Sequence, residues 1–426
     1  MLEGEMTMDI KNICSCIDER KEELYELLCS LIRINSENYG SYGNEKECAL
    51  YIKKLCLELG LETEMYSPLD VENFKDHPDY LDGRGLENRY NVTARWKGSD
   101  DKDELMLMGH SDTVRIGERS MWSFEPLAGV VRDGKIWGRG ACDDKYALAT
   151  ALFVIKLLKD NGFVPKKNIL FTAYCDEEHG GSNGALAAVL RYPTVRIVNM
   201  DCKNFDIWHC ASGGMEAKYR YHTEKNVDSA YLAAKAAAVV MEELESFAKK
   251  RYEELSNNRF YRGTIIPETS FRYMHVKAGD NGADLGIGEV LFVTYTDKTK
   301  EEIFAEYAEL EKILSEKLAP MGIIGDGFTP NTRFFHYAYT EPDNASILDM
   351  QKAALEVSGR ELKPCASCLS DLSVILKYGS KDAFGFGIGR NFDDYGGAHQ
   401  PDEYIECEKL VEYAKIIAAY VVKCMG

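Results

Sequence analysis

The chain has 426 residues, 45% hydrophobic and 28% charged, the balance of a soluble globular protein too long for one core. Seventy acidic residues against 51 basic ones leave a formal charge of −19, a surface that repels phosphate backbones and anionic lipid and so argues against nucleic-acid or membrane binding. Thirteen cysteines, an odd number scattered through apolar and polar stretches, read as free thiols in a reducing cytoplasm. The N-terminal MLEGEMTMDI carries neither a basic nor an apolar leader region, and no apolar run reaches membrane-spanning length.

Taken in order, Asp9 to Ile34 and Asn44 to Leu59 show apolar residues at helical spacing, the second stretch closed by Gly60. Leu61–Tyr66 and Tyr90–Trp96 read as strands, and so does Leu105 onward in LMLMGHSDT, which stops at Gly109 and delivers His110 and Asp112. GVVRDGKIWGRGA (129–141) is a hairpin with its turn at Asp133-Gly134. A helix over Asp143–Asp160, a strand NILFTAY followed by Asp176-Glu177-Glu178, a short helix over Ala185–Arg191 and a strand delivering Asp201 complete a βα alternation. This pattern predicts an α/β domain with a mixed, largely parallel sheet sandwiched by helices.

From about Ser212 the pattern changes to strand (215–223), long helix (227–254), two strands (270–277 and 289–296), helix (300–318) and a final strand (332–340). That order is the split βαβ of a ferredoxin-like α+β unit. The expected organisation is therefore a discontinuous α/β domain, 1–211 and 341–426, with a second domain inserted over 212–340. The resumed domain holds a helix at Ile347–Ser358, another at Ser370–Tyr378 and a strand at Ala383–Ile388.

Parallel strands bring their carboxyl ends to one sheet edge, so residues far apart in the chain converge there. The candidates are His110 with Asp112, Asp143, Glu177 with Glu178, Asp201, and His399 in GGAHQPDEY. Two imidazoles among several carboxylates suit zinc, with manganese or cobalt as alternatives. A carboxylate at a helix start, Asp143, is placed to bridge two cations, and Glu177 beside Glu178 can stay unligated and act as a base. His179 reads as a loop residue, and Cys142, Cys175 and the lone Cys365/Cys368 pair as packed thiols.

HSDTV, GRGACDDK, DEEHGGSNG, Asp201 and GGAHQPDEY together resemble, in order and spacing, the co-catalytic dizinc amidohydrolases related to carboxypeptidase G, aminoacylase, zinc dipeptidases, acetylornithine deacetylase and succinyl-diaminopimelate desuccinylase. The resemblance implies that His110 and Asp201 bind one of two divalent ions, that Glu178 and His399 bind the other, and that Asp143, with a cis bond to Asp144, bridges them. Asp112 would orient His110, and Glu177 would be the general base for water attack on an amide carbonyl. The substrate would be a dipeptide or N-acyl amino acid, and the protein a monomer or a homodimer through the lid. A ligand-binding descendant without catalysis is the competing reading.

In such relatives the lid supplies a histidine for the oxyanion, an asparagine and an arginine. Here His222 is the first candidate for that histidine and His275 the second, with Asn281 as the asparagine. The usual arginine is replaced near Thr294 in LFVTYT, leaving Arg333 or Arg390 as substitutes.

Overall fold

The computed structural model describes residues 9–224, 228–282 and 285–426. Residues 1–8, residue 227 at the expected start of the long helix, and 283–284 in KAGDNGADLGIGE lie outside the described residues. The strands, in chain order, are β1 (Glu62–Tyr66), β2 (Asn91–Trp96), β3 (Asp100–His110), β4 (Val130–Arg132), β5 (Lys135–Trp137), β6 (Lys167–Tyr174), β7 (Arg196–Asn199) and β8 (Ile207–Ala211). They continue with β9 (Gly213–Thr223), β10 (Phe271–Asp280), β11 (Gly286–Thr296), β12 (Ile323–Pro330), β13 (Ala338–Tyr339), β14 (Pro364–Ala366), β15 (Asp382–Phe386) and β16 (Tyr404–Glu406). The helices are α1 (Ile10–Glu19), α2 (Lys21–Ile32), α3 (Lys46–Glu58), α4 (Lys145–Asp160), α5 (Asn183–Arg191), α6 (Ser229–Asn257), α7 (Lys300–Leu318), α8 (Ala345–Ser358), the single turn α9 (Leu372–Val374) and α10 (Cys407–Met425).

Contacts divide the chain into two compact units: one runs to His209 and takes up Tyr339–Cys365 and Val374–Gly426, the other spans Cys210–Ala338 and Ala366–Ser373. The large sheet has the order β1-β2-β6-β3-β7-β15-β8-β13, with β14 paired to β8. Its centre, β6-β3-β7-β15, is parallel, and the flanking β1, β2 and β8 pair antiparallel. α4 packs against β3 and β6, burying Ala147, Leu148, Ala151, Leu152, Ile155 and Leu158, the residues whose spacing announced a helix. Asp133 and Gly134 both adopt positive φ in the β4–β5 hairpin, as a two-residue turn of that hand requires. The expected first helix breaks at Arg20, which closes α1 and opens α2.

In the second unit β9-α6-β10-β11-α7-β12 forms an antiparallel sheet in the order β10-β11-β9-β12, with α6 and α7 packed against it. Its core gathers Tyr219, Leu244, Phe292 and Leu314. The final strand is Ile323–Pro330 and not 332–340. Gly325, Asp326 and Gly327 imitate a turn in the sequence, yet they form a bulge in an edge strand, where the register slips against Tyr221 and Arg220. Gly325 is required there because a side chain would meet the Tyr219 hydroxyl. Of 332–340 only Ala338–Tyr339 is strand. No helix of the described residues is long and apolar enough to cross a membrane.

Candidate metal centre

The four central parallel strands all end at one edge. Register pairs His110 with Tyr174 and Met108 with Asn199, so β3, β6 and β7 finish nearly level. His110 is the last residue of β3; the chain leaving β6 carries Asp176 to Glu178, and the chain leaving β7 carries Asp201. β5 pairs with β16, Trp137 opposite Tyr404, which sets the loop before α4, with Asp143, beside the loop holding His399.

Six of the residues singled out in the sequence converge here. His110, Asp143 and Asp201 present ligand atoms within 4.8 Å of one another, and so do Asp143, Glu178 and His399. A third group within the same limit joins His110 to Glu177 and Glu178. The two carboxylate oxygens of Asp143 face different partners: Oδ1 lies 3.0 Å from His110 Nε2, and Oδ2 lies 3.1 Å from His399 Nε2. His399 Nε2 is also 3.0 Å from Glu178 Oε2. The Asp143–Asp144 peptide bond is cis.

These donors fit a pair of divalent cations. Bonds of about 2 Å at tetrahedral angles separate ligand atoms by roughly 3.3 Å, close to the spacings seen. The charge balance agrees, with four carboxylates gathered around two imidazoles. Burial pulls the His399 imidazole down, but Glu178 and Asp143 outweigh it and push the ring up to about 11. The same contest raises His110 well above its ordinary value, through Asp112 and Asp143. Hydrogen bonds from His110 and His399 hold Asp143 below the usual carboxylate range despite its burial. Burial, with Asp143 and Glu178 nearby, pushes Asp201 up to about 7 against the pull of His110. So concentrated a set of negative groups calls for positive charge.

The backbone around these donors is held tightly. His110 Nδ1 donates to the Asp112 carbonyl at 2.9 Å, which leaves Nε2 as the ligating nitrogen, while the Asp112 carboxylate stands 3.7 Å from Nδ1. That carboxylate accepts the backbone N–H of Glu177 at 3.1 Å and of Glu178 at 3.0 Å, together with Asn38 Nδ2 at 2.8 Å. Arg84 grips the segment from its other side, donating to Asp176 Oδ1 at 2.8 Å and to the Glu178 carbonyl at 2.6 Å. Asp176, His179 and His399 all sit at positive φ, a conformation costing about 1–3 kcal/mol that only such bracing sustains.

Beneath lies Arg89, fully buried, paired with Glu45, with Asp176 at 2.8 Å and facing Asp112 at 3.8 Å. Three carboxylates share one guanidinium, and stripping a buried pair of its partner costs about 3–5 kcal/mol. Glu403 does similar work under the other loops, accepting from Arg139 at 2.7 Å and from the N–H groups of Gly140 and Cys142 at 3.1 and 2.8 Å. Sequence reasoning passed over Asn38, Arg84, Arg89, Arg139 and Glu403. The last two lie inside the quoted motifs; the others sit in polar loops that look like surface.

The remaining candidates have other partners or surroundings. Arg390 is committed to Glu406 at 2.7 Å and lies 4.1 Å over the Tyr404 ring. In the second unit His222 pairs with Asp326 at 2.8 Å, and His275 with Glu289 at 2.7 Å in a ladder that includes Arg220. Asn281 donates its N–H to the Leu285 carbonyl at 3.1 Å, and Arg333 is buried. His179 Nε2 is 3.2 Å from the Asn38 carbonyl, an ordinary loop contact.

The sequence pattern of peptidase family M20/M25/M40 matches residues 106–423, from β3 into α10. The chain belongs to this family. Along nearly its whole length this M20 chain is similar to an uncharacterized metallohydrolase of Methanocaldococcus jannaschii, 27% identical over 433 residues that cover 93% of this chain and 98% of the relative. Among solved structures it shares the fold of the di-peptidase Dug1p from Saccharomyces cerevisiae, with a TM-score of 0.71, 17% identity and 98% of each chain covered. It shares it too with the Bacillus subtilis protein YXEP, described as a dinuclear metal binding peptidase, with a TM-score of 0.61, 17% identity and coverage of 96% and 99%. The M20 chain thus has the family's fold, a mixed-sheet domain with an inserted α+β unit, and it is a metallohydrolase.

Proposed function

We propose that this M20 chain hydrolyses an amide or peptide bond of a small substrate, a dipeptide or an N-acyl amino acid, with two divalent cations. The observation that carries the proposal is Asp143, whose two oxygens face two separate donor groups. Bound there, divalent cations, zinc the first choice for this donor set, supply Lewis acidity that acidifies a water toward a pKa of about 7 and polarises a carbonyl.

The protein's own groups divide the rest of the work. Glu178 Oε1 accepts the Val114 N–H at 3.0 Å, which fixes that carboxylate with Oε2 toward His399 and suits it as a ligand. Glu177, its N–H pinned by Asp112, takes the water's proton and returns it to the leaving nitrogen. Thirteen free cysteines support a reducing, cytoplasmic setting.

A panel of dipeptides and N-acyl amino acids, offered to protein loaded separately with zinc, manganese and cobalt, tests the reading. At least one class should turn over with kcat on the order of 1–1000 per second. Two bound cations with no turnover anywhere on the panel would leave a ligand-binding descendant instead.

A further inference from the structure

The six converging donors are not equally well held. His110 is fixed through Nδ1, Glu178 through Oε1, and Asp143 by an imidazole on each oxygen. Among the described residues no hydrogen bond is given to the Asp201 carboxylate, so its place depends on the turn that carries it. That turn, Met200 to Cys202, closes around one buried side chain, Tyr146 in the first turn of α4. The Tyr146 hydroxyl lies 2.8 Å from the Met200 carbonyl and 2.8 Å from the Cys202 carbonyl, the two peptide oxygens flanking Asp201. It also receives the Ile388 N–H at 3.1 Å. With one proton to give and two carbonyls to receive it, the hydroxyl draws both ends of the turn to a single point.

The surroundings are shaped for it. A side chain on Gly387 would strike the Tyr146 hydroxyl, and one on Gly389 would meet the Cys142 carbonyl at 2.8 Å and the Cys202 carbonyl at 3.0 Å. Gly389 N–H donates to the Cys202 carbonyl at 2.8 Å. The segments after β7 and after β15 therefore meet at this one hydroxyl, on the helix that follows Asp143.

We infer that Tyr146 is a positioning residue: its hydroxyl places Asp201, and so sets the affinity of the cation position formed by His110, Asp143 and Asp201 without acting on the position formed by Asp143, Glu178 and His399. The inference rests on reading the cluster as a dinuclear site. Removing a group that orients a ligand lowers metal affinity by about tenfold to a hundredfold.

The test is cobalt titration of the full chain, followed by visible absorption and by calorimetry. Wild-type protein should take up two ions. Tyr146→Phe, which keeps the ring, should weaken one binding step by about tenfold to a hundredfold, alter the absorption of that step alone and leave the other step unchanged. Tyr413→Phe is the control, since it removes a neighbouring buried hydroxyl bonded to the Phe386 carbonyl at 2.7 Å and not to the Met200–Cys202 turn. It should leave both steps as they are. If Tyr146→Phe does not fold, Gly387→Ala, whose methyl would press on the hydroxyl and on both carbonyls that it holds, should give the same selective loss. Wild-type affinity at both steps in Tyr146→Phe, or equal weakening of both steps in Tyr146→Phe and Tyr413→Phe, overturns the inference. A wild-type chain that binds fewer than two ions defeats the dinuclear reading itself, a failure visible before any variant is made.

Discussion

Replacing Glu177 by Gln is expected to lower kcat about a thousandfold, roughly 4 kcal/mol of barrier, while two cations stay bound. The variant keeps the size and the hydrogen-bonding reach of the side chain but removes its capacity to take a proton. Its backbone is anchored independently, with the N–H on Asp112 and the carbonyl accepting from Gly181 N–H at 3.0 Å, so the loop should keep its shape. Glu177 is also within ligand range of His110 and Glu178, which makes the metal content informative. Turnover measured beside metal analysis separates the two roles. Loss of a cation in Glu177→Gln would make Glu177 a ligand, and an unchanged kcat would leave the base unidentified.

The second large effect belongs to Asp143→Ala. The two donor groups assigned to the cations both contain Asp143, so one substitution should empty both and reduce turnover below detection. Stability gives an independent reading. A cation held at one hundred times its Kd stabilises a protein by about 2.7 kcal/mol for each site. Added zinc should therefore raise the unfolding midpoint of the wild type and leave that of Asp143→Ala nearly unmoved. A variant that still gains stability from zinc, or keeps one tightly held ion, would show that the cations do not share this carboxylate.

Much of this centre was legible in the sequence because a buried parallel strand announces itself as an apolar run and its polar residues at the carboxyl end follow at once. Leu105–His110, Ile169–Tyr174 and Ile197–Asn199 show it, and the structure sets them side by side. His399 was harder, since it lies thirteen residues past Phe386 and reaches the edge only because β16 pairs with β5.

What escaped is what depends on tertiary pairing. Arg89 and Glu45 are 44 residues apart, and nothing local in either stretch says that both are buried. β8, IWHCA, was overlooked because its five residues fall where the chain changes character. β12 hid behind its glycines, whereas Phe334 and Phe335, apolar enough to suggest a strand, are buried with a single bridge from Phe335 to Gly214. Tyr146 was passed over within the expected helix; its hydroxyl's three partners come from the segments following β7 and β15.

The proposed hydrolysis depends on two cations sharing Asp143. Crystals of the zinc-loaded chain, measured on both sides of the zinc absorption edge, test this most directly. Two anomalous peaks are expected, one against His110 and Asp201, the other against Glu178 and His399, with a carboxylate oxygen of Asp143 on each. A single peak, or two peaks with Asp143 touching only one of them, would contradict it.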